Sequence, residues 1–201
     1  MSVRACRFDS DRRHMNAKSH LAYLKGIALG DGNISNPNGR AFRMRITCDL
    51  KYPKIIDSIQ KSVAVIFPKN KISIIKRKGC LDVSFYSNLI PKIFGWTNYK
   101  GTKLSQKIKI ENWLFQDLKY SKYFLKGLLE SDGSIYQDRN YTMINFVNYN
   151  KDIALSCKKA FVGLGFEPRI YKVSEKGKDK YTVRLSKRVK EFLKKVPINK
   201  I

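Results

Sequence analysis

Two aspartates stand at matching places in two similar segments: Asp31 in residues 24–32 (LKGIALGDG) and Asp132 in residues 125–133 (LKGLLESDG), the second 101 residues after the first in a chain of 201. Each segment carries small residues four apart, Gly26 and Gly30 in one, Gly127 and Ser131 in the other. That spacing puts them on one helical face. Apolar residues surround them, Leu21, Leu24 and Ile27 in the first case, Phe124, Leu125 and Leu128 in the second. Two such helices can approach closely. Packed in the same direction, they bring Asp31 and Asp132 out at one end, where Asp31-Gly32 and Asp132-Gly133 suit helix C-termini. Adjacent carboxylates repel unless a cation lies between them. Hard oxygen ligands suit Mg²⁺, which keeps several waters and also takes phosphate oxygens. Paired acids, such a metal and a basic surface are what phosphodiester hydrolysis needs.

A lone Asp-Gly is a common turn; its repetition in two similar surroundings is what points to chemistry. The surroundings repeat as well. Residues 41–48 (AFRMRITC) alternate, with Phe42, Met44, Ile46 and Cys48 on one face and Arg43, Arg45 and Thr47 on the other. This predicts a half-buried strand with a basic outer face. Residues 141–148 (YTMINFVN) are its counterpart. Helices are predicted at 53–66 and 151–164, followed by Phe67-Pro68 and Phe166-Glu167-Pro168. Hairpins come next, 72–75 with 81–86 around Lys78-Gly79, and 169–173 with 181–185 around residues 176–178. Ser87 and Ser186 suit N-caps of a closing helix. Each half therefore reads αββαββα, an α+β fold of two pseudo-symmetric halves. The expected division is a basic N-terminal arm at 1–19, a first repeat at 20–95, a lysine-rich connection at 96–121 and a second repeat at 122–201.

Lysine and arginine total 41 against 16 acids, a formal net charge of +25. Self-repulsion of that size implies a polyanionic partner, nucleic acid ahead of an anionic membrane. At 43% hydrophobic residues the chain can bury a core. It has no apolar run of about 18 residues to span a bilayer and no apolar stretch after Met1 to act as a secretory signal, so an intracellular protein is expected, cytoplasmic or organellar. Cys6, Cys48, Cys80 and Cys157 form no CxxC pair, His14 and His20 both precede the first motif, and GxxxxGK[ST] is absent. These weigh against a zinc site, a histidine-centred site and an NTPase.

Residues 24–32 and 125–133 resemble the two LAGLIDADG motifs of single-chain homing endonucleases, and the duplicated pattern covers nearly all of the chain after the arm. The resemblance implies saddle-shaped antiparallel sheets over a DNA major groove, with the motif helices packed at the centre. It implies Mg²⁺, with Mn²⁺ able to substitute, held by Asp31 and Asp132 with the carbonyls of Gly30 and Ser131. One phosphodiester in each strand is then hydrolysed, leaving 3′ overhangs. The family often has glutamine at the end of the first strand; the matching residues here are Cys48 and Asn148. Asn148 can position a water or phosphate and Cys48 does so poorly, so unequal cutting of the two strands is expected. A family lysine near the attacking water points to Lys103 or Lys107 in the first half and Lys200 in the second.

Contacts to base edges and phosphates are expected from one face of each sheet. Candidates are Arg40, Arg43, Arg45, Lys76, Arg77 and Lys78 in the first half, and Arg139, Asn140, Arg169, Lys172 and Arg184 in the second. Arg4, Arg7, Arg12 and Arg13 of the arm suit the DNA backbone. Tyr86, Tyr99, Tyr136 and Tyr171 fit core or rim better than base stacking. Unlike halves imply an asymmetric duplex target, and a fused pair works as a monomer. Similar proteins include intron maturases and transcription regulators, so a binding protein of this fold without cutting activity, or an added role on intron RNA, stays open. A ribosome-associated basic protein fits the charge but leaves the paired motifs unexplained. The chain opens on Met1 and closes on Asn199-Lys200-Ile201, without the splicing residues of an intein, and is expected to be freestanding and intron-encoded.

Overall fold

A computed structural model describes residues 15–97, 103, 106, 108–175 and 177–200. Lys107, Tyr99 and the arginines of the arm lie outside the described residues. Helix α1 (Ala17–Asp31) begins where the Asn16 side chain accepts from the Ser19 N–H at 2.9 Å. The matching helix of the second half, α5 (Leu118–Asp132), begins where Asp117 accepts from the Lys119 N–H at 2.7 Å. These side chains satisfy backbone donors that a helix start leaves unpaired.

The first half continues through β1 (Gly32–Ser35), β2 (Arg43–Asp49), α2 (Pro53–Ile66), β3 (Ser73–Lys76), β4 (Cys80–Tyr86) and α3 (Ile90–Phe94). A short α4 (Trp113–Gln116) precedes α5, followed by β5 (Gly133–Asp138), β6 (Tyr141–Asn148), α6 (Lys151–Gly163), β7 (Arg169–Glu175), β8 (Lys178–Leu185) and α7 (Val189–Lys195). Two antiparallel sheets result, ordered β1-β2-β4-β3 and β5-β6-β8-β7. The predicted αββαββα order holds in both halves. Strand alternation sorts the faces: Met44, Ile46, Val83 and Phe85 are buried on one side of the first sheet, and Ile144, Phe146, Val183 and Leu185 on the same side of the second.

The halves meet through α1 and α5. A Cβ on Gly26 would fall 2.2 Å from the Phe124 carbonyl oxygen, and one on Gly127 would fall 2.4 Å from that of Tyr23. No larger side chain fits at either place, so the helices touch backbone to backbone.

One local expectation holds and one is corrected. The glycines after the motif aspartates close α1 and α5 as expected, in extended backbone: Gly32 has φ −81° and ψ 145°, Gly133 φ −82° and ψ 149°. They are required sterically, because a Cβ on either would lie 2.4 Å from the carbonyl oxygen of Ala28 or Leu129. Ser87 and Ser186 do not cap the closing helices, which start later and without a side-chain cap. Ser87 instead accepts from the Leu89 N–H at 3.2 Å, making a turn ahead of α3, and Arg188 enters α7 at φ 57°.

Gly127→Ala sets a methyl against backbone that cannot give. It is expected to cost about 3 kcal/mol and to lower the Tm by roughly 6–12 °C in a domain of this size. Gly163→Ala in α6, with no atom within 4 Å of the new Cβ, is expected to raise the Tm slightly by restricting the unfolded chain. Thermal unfolding of the two variants side by side checks the contrast.

Candidate active site

The bare contact between α1 and α5 sets their last residues side by side. A Cβ on Gly30 would lie 2.2 Å from Ser131 Oγ and 3.1 Å from Asp132 Cγ. Glycine there is what admits the second carboxylate to the end of α1. Burial and then the charge of Asp132 push the Asp31 carboxyl up to about 6, against the pull of Lys200 and Lys103. Asp132 is also raised by burial, against the hydrogen bond from Asn148 and the same two lysines. Asp31 keeps an exposed edge, and it borders a cleft of about 390 Å³ that Cys48, Glu130 and Lys200 also line.

Two lysines close the helix ends in matching fashion. Lys103 Nζ donates to the carbonyls of Ala28 at 3.3 Å, Leu29 at 3.1 Å and Gly30. Lys200 Nζ donates to those of Ser131 and, at 3.1 Å, Gly133. The last carbonyls of a helix carry its negative end, which favours a cation. Burial pushes Lys103 down to about 8 and also lowers Lys200, against the attraction of both aspartates. The Trp96 ring lies 5.2 Å from Lys103 Nζ. Asn150, the N-cap of α6, donates to the carbonyls of Lys103 at 3.0 Å and Gln106 at 3.1 Å, tying the connection to the second half.

The predicted inequality between the halves has a structural form. Asn148 Nδ2 donates to Asp132 Oδ2 at 2.8 Å. Cys48, at the matching place beside Asp31, is a buried thiol pushed up to about 12 by burial first and by Asp31 second, its Sγ 3.9 Å from the Ile46 carbonyl oxygen. Among the described residues no group of three or more His, Cys, Asp or Glu could hold a metal. A cation here would rest on two carboxylates completed by carbonyl, water or phosphate oxygens, the donor set that Mg²⁺ takes.

On the outer face of the first sheet, Arg43 and Arg45 pair across from Tyr86 and Ser84. Arg43 Nε donates to Ser35 Oγ at 3.2 Å, whereas the buried Nε of Arg45 has no hydrogen-bond partner among the described residues. Arg77 pairs with buried Asp82, which accepts from Thr47 at 2.7 Å. On the second sheet Arg184 stands across from Asn145 and Arg169, donates to Asn145 Oδ1 at 3.0 Å and lies 5.6 Å from the Tyr171 ring. Arg40 and Lys78 sit in exposed loops, and Arg139, at φ 54°, makes the β5–β6 turn with Asn140. Lys76 and Lys172 do not join this surface. Their register against Leu81 and Tyr181 sends them out on the core side of each sheet, where Lys172 pairs with Asp179 at 2.8 Å. Period-two alternation is the reason: both stand one residue away from the outward-facing positions Ile75 and Tyr171.

Sequence reasoning passed over the motif lysines. Lys25 is buried, 2.7 Å from Glu111 and donating to the Ile93 carbonyl. Lys126 is buried 2.6 Å from Glu130 and donates to the Pro197 carbonyl. Glu130 also accepts from Tyr23 of the other motif helix, at 2.7 Å. The available signal was a lysine at the same place in both motifs and an acid within an apolar helix face.

Two αββαββα halves meeting on glycine-lined helices, with an aspartate at the end of each, define the LAGLIDADG architecture. The chain is a single-chain LAGLIDADG protein with two motifs. Residues 20–86 match the WhiA LAGLIDADG-like domain, and residues 119–197 match a LAGLIDADG-like domain. Among solved structures, mesophilic variants of the homing endonuclease I-DmoI are 21% identical with a TM-score of 0.66, over 90% of this chain and 97% of that one. I-DmoI in complex with DNA and Mn gives the same values. Full-length DUF199/WhiA from Thermatoga maritima is 13% identical with a TM-score of 0.60, over 92% of this chain and 57% of that one. At such identities the likeness is one of fold. No curated protein matches the sequence significantly.

A carboxyl held at about 6 in the folded chain, against its ordinary value of 3.8, makes the folded state the stronger proton binder between those pH values. Stability then falls as pH rises through that window. In metal-free buffer at pH 7.5, Asp31→Asn is expected to stabilise the protein by on the order of 1 kcal/mol, discounted for the exposed edge. That is a Tm gain of about 2–4 °C, shrinking toward zero near pH 4. Melting curves across pH with chelator present test it.

Proposed function

We propose that this protein is a site-specific homing endonuclease that hydrolyses one phosphodiester in each strand of a long, asymmetric DNA duplex, leaving 3′ overhangs. The observation that carries this reading is the juxtaposition of Asp31 and Asp132 at one end of a backbone-to-backbone helix pair, flanked by Lys103 and Lys200. I-DmoI, which shares the fold, has been captured with target DNA and with Mn, Ca or Mg.

Asp31 and Asp132, with the carbonyls of Gly30 and Ser131, are the oxygens that would hold Mg²⁺ or Mn²⁺. A bound divalent ion there supplies an activated water and stabilises the leaving oxygen. The chain's own contribution is positional and electrostatic. The lysines hold the helix-end carbonyls and place positive charge beside the scissile phosphate, where developing negative charge needs it. Asn148 fixes the Asp132 carboxylate. Arg43, Arg45, Arg169 and Arg184 present donors on the outer sheet faces for the groove, and Arg40, Arg77, Lys78, Arg139 and Asn140 lie where phosphates would pass. Phosphate contacts dominate affinity, so binding weakens steeply with salt. A fused pair of halves acts as a monomer.

Incubated with Mg²⁺ and a library of long randomised duplexes, the wild type is expected to produce site-specific double-strand breaks, and Asp31→Asn with Asp132→Asn none. The match of residues 20–86 to the WhiA domain and the thiol at Cys48 favour one competing reading, a DNA-binding protein that does not cut. Salt-sensitive binding without cleavage in Mg²⁺ or Mn²⁺ would establish that reading instead.

The single hydrogen bond from Asn148 predicts that the two strands are cut at different rates, with nicked duplex accumulating. Cys48→Asn, which copies the second half into the first, is expected to speed the slower strand by about tenfold, the scale of one hydrogen bond to a charged group. Strand-labelled time courses read the ratio directly.

A further inference from the structure

The geometry points to Glu130 as a positioning residue that straps residues 196–200 to α5 and thereby sets Lys200 on the end of the second motif helix. Three donors converge on this carboxylate, which is 2% exposed. Oε1 accepts from Lys126 Nζ at 2.6 Å and from the backbone N–H of Asn199 at 2.8 Å. Oε2 accepts from the Tyr23 hydroxyl at 2.7 Å. Lys126 extends the clamp by donating to the Pro197 carbonyl. Val196 and Ile198 are buried on either side of that residue. The segment is thus held at 196, 197, 198 and 199, and the next residue is Lys200, whose ammonium reaches the carbonyls of Ser131 and Gly133.

The first half shows that the arrangement is particular to Glu130. Leu29 occupies the corresponding place in α1. Lys25 is neutralised by Glu111, and Lys103 is held through Asn150 and Trp96. A buried carboxylate is costly to keep ionised without partners. Here the partners are the chain segment itself, an adjacent lysine and the tyrosine of the opposite helix. Loss of the carboxylate would free the segment that carries Lys200 while leaving Lys103 in place.

This role rests on the endonuclease reading for its effect on cutting but not for its effect on Lys200, so the two can fail separately. Amine-reactive labelling read by mass spectrometry reports how tightly Lys200 is held. In Glu130→Gln, Lys200 labelling is expected to rise about tenfold over wild type, the scale of losing a charge-assisted hydrogen bond, with Lys103 labelling unchanged. Should that variant fold poorly, Lys126→Met with Glu130→Leu removes both charges together, a change that buried pairs commonly tolerate, and the same rise is expected. In single-turnover cleavage both changes should slow one strand more than the other and leave DNA affinity unaltered. Unchanged Lys200 labelling in a folded variant, or an equal rise at Lys103, overturns the assignment. So does fast hydrogen exchange of the Asn199 amide in the wild type, which needs no variant. A wild type that shows the labelling difference but cuts no DNA would sink the endonuclease reading and leave the strap standing.

Discussion

Everything at the centre of this molecule depends on two peptide backbones touching where neither can carry a side chain. At Gly26 and Gly127 a single Cβ would overlap the carbonyl of the opposite helix. The contact fixes how far α1 and α5 can separate and how they can rotate, and so where their last residues lie. Had the helices been spaced by leucines, at a usual 8–10 Å between axes, the two aspartates would end apart and in water. The close approach instead buries both carboxyls, which raises each, and the charge of Asp132 raises Asp31 further. Lysines on both sides temper that repulsion. The site is strained in charge because the fold is tight in space, and a cation is the natural remedy.

The two halves solve the same problem with different residues. Each helix end needs an ammonium against its carbonyls. In the first half the lysine comes from the connection, held by an asparagine of the second half and by a tryptophan at the start of the connection itself. In the second it comes from the segment after α7, held by a buried glutamate that also bonds a tyrosine of the first. These bonds cross the pseudo-symmetry axis in both directions. Neither half is therefore a self-contained copy of the other, although the strand order and register repeat.

The repeat, the order of elements and the role of the small residues were all legible in the sequence. Periodicity and spacing are local properties, and a duplicated motif doubles their signal. The pairing of Asp31 with Asp132 followed from Gly26, Gly30, Gly127 and Ser131 on one helix face. What lay hidden was set by tertiary partners. Lys76 and Lys172 read as part of a basic surface, but strand register turns them to the core side of each sheet. Gly32 and Gly133 read as helix ends and are helix ends, but the carbonyl four residues back that requires glycine there was not visible in the sequence. Glu130, Lys126 and Asn150 were passed over, since their long-range partners arrive from 44 to 107 residues away, beyond what local spacing can show.

The glycine contact also orders events during synthesis. The face of α1 that bears Tyr23 and Gly26 has its partner 101 residues later, and loop closure over that distance must precede the contact. While the first sheet and α2 emerge from the ribosome, that face has nothing to cover it. At typical rates of translation the wait for α5 lasts about 5–20 s. A chain abandoned midway holds one aspartate and an unsealed helix, with no carboxylate pair. Assembly of the centre thus waits until α5 (Leu118–Asp132) has been made, well after the first sheet and α2.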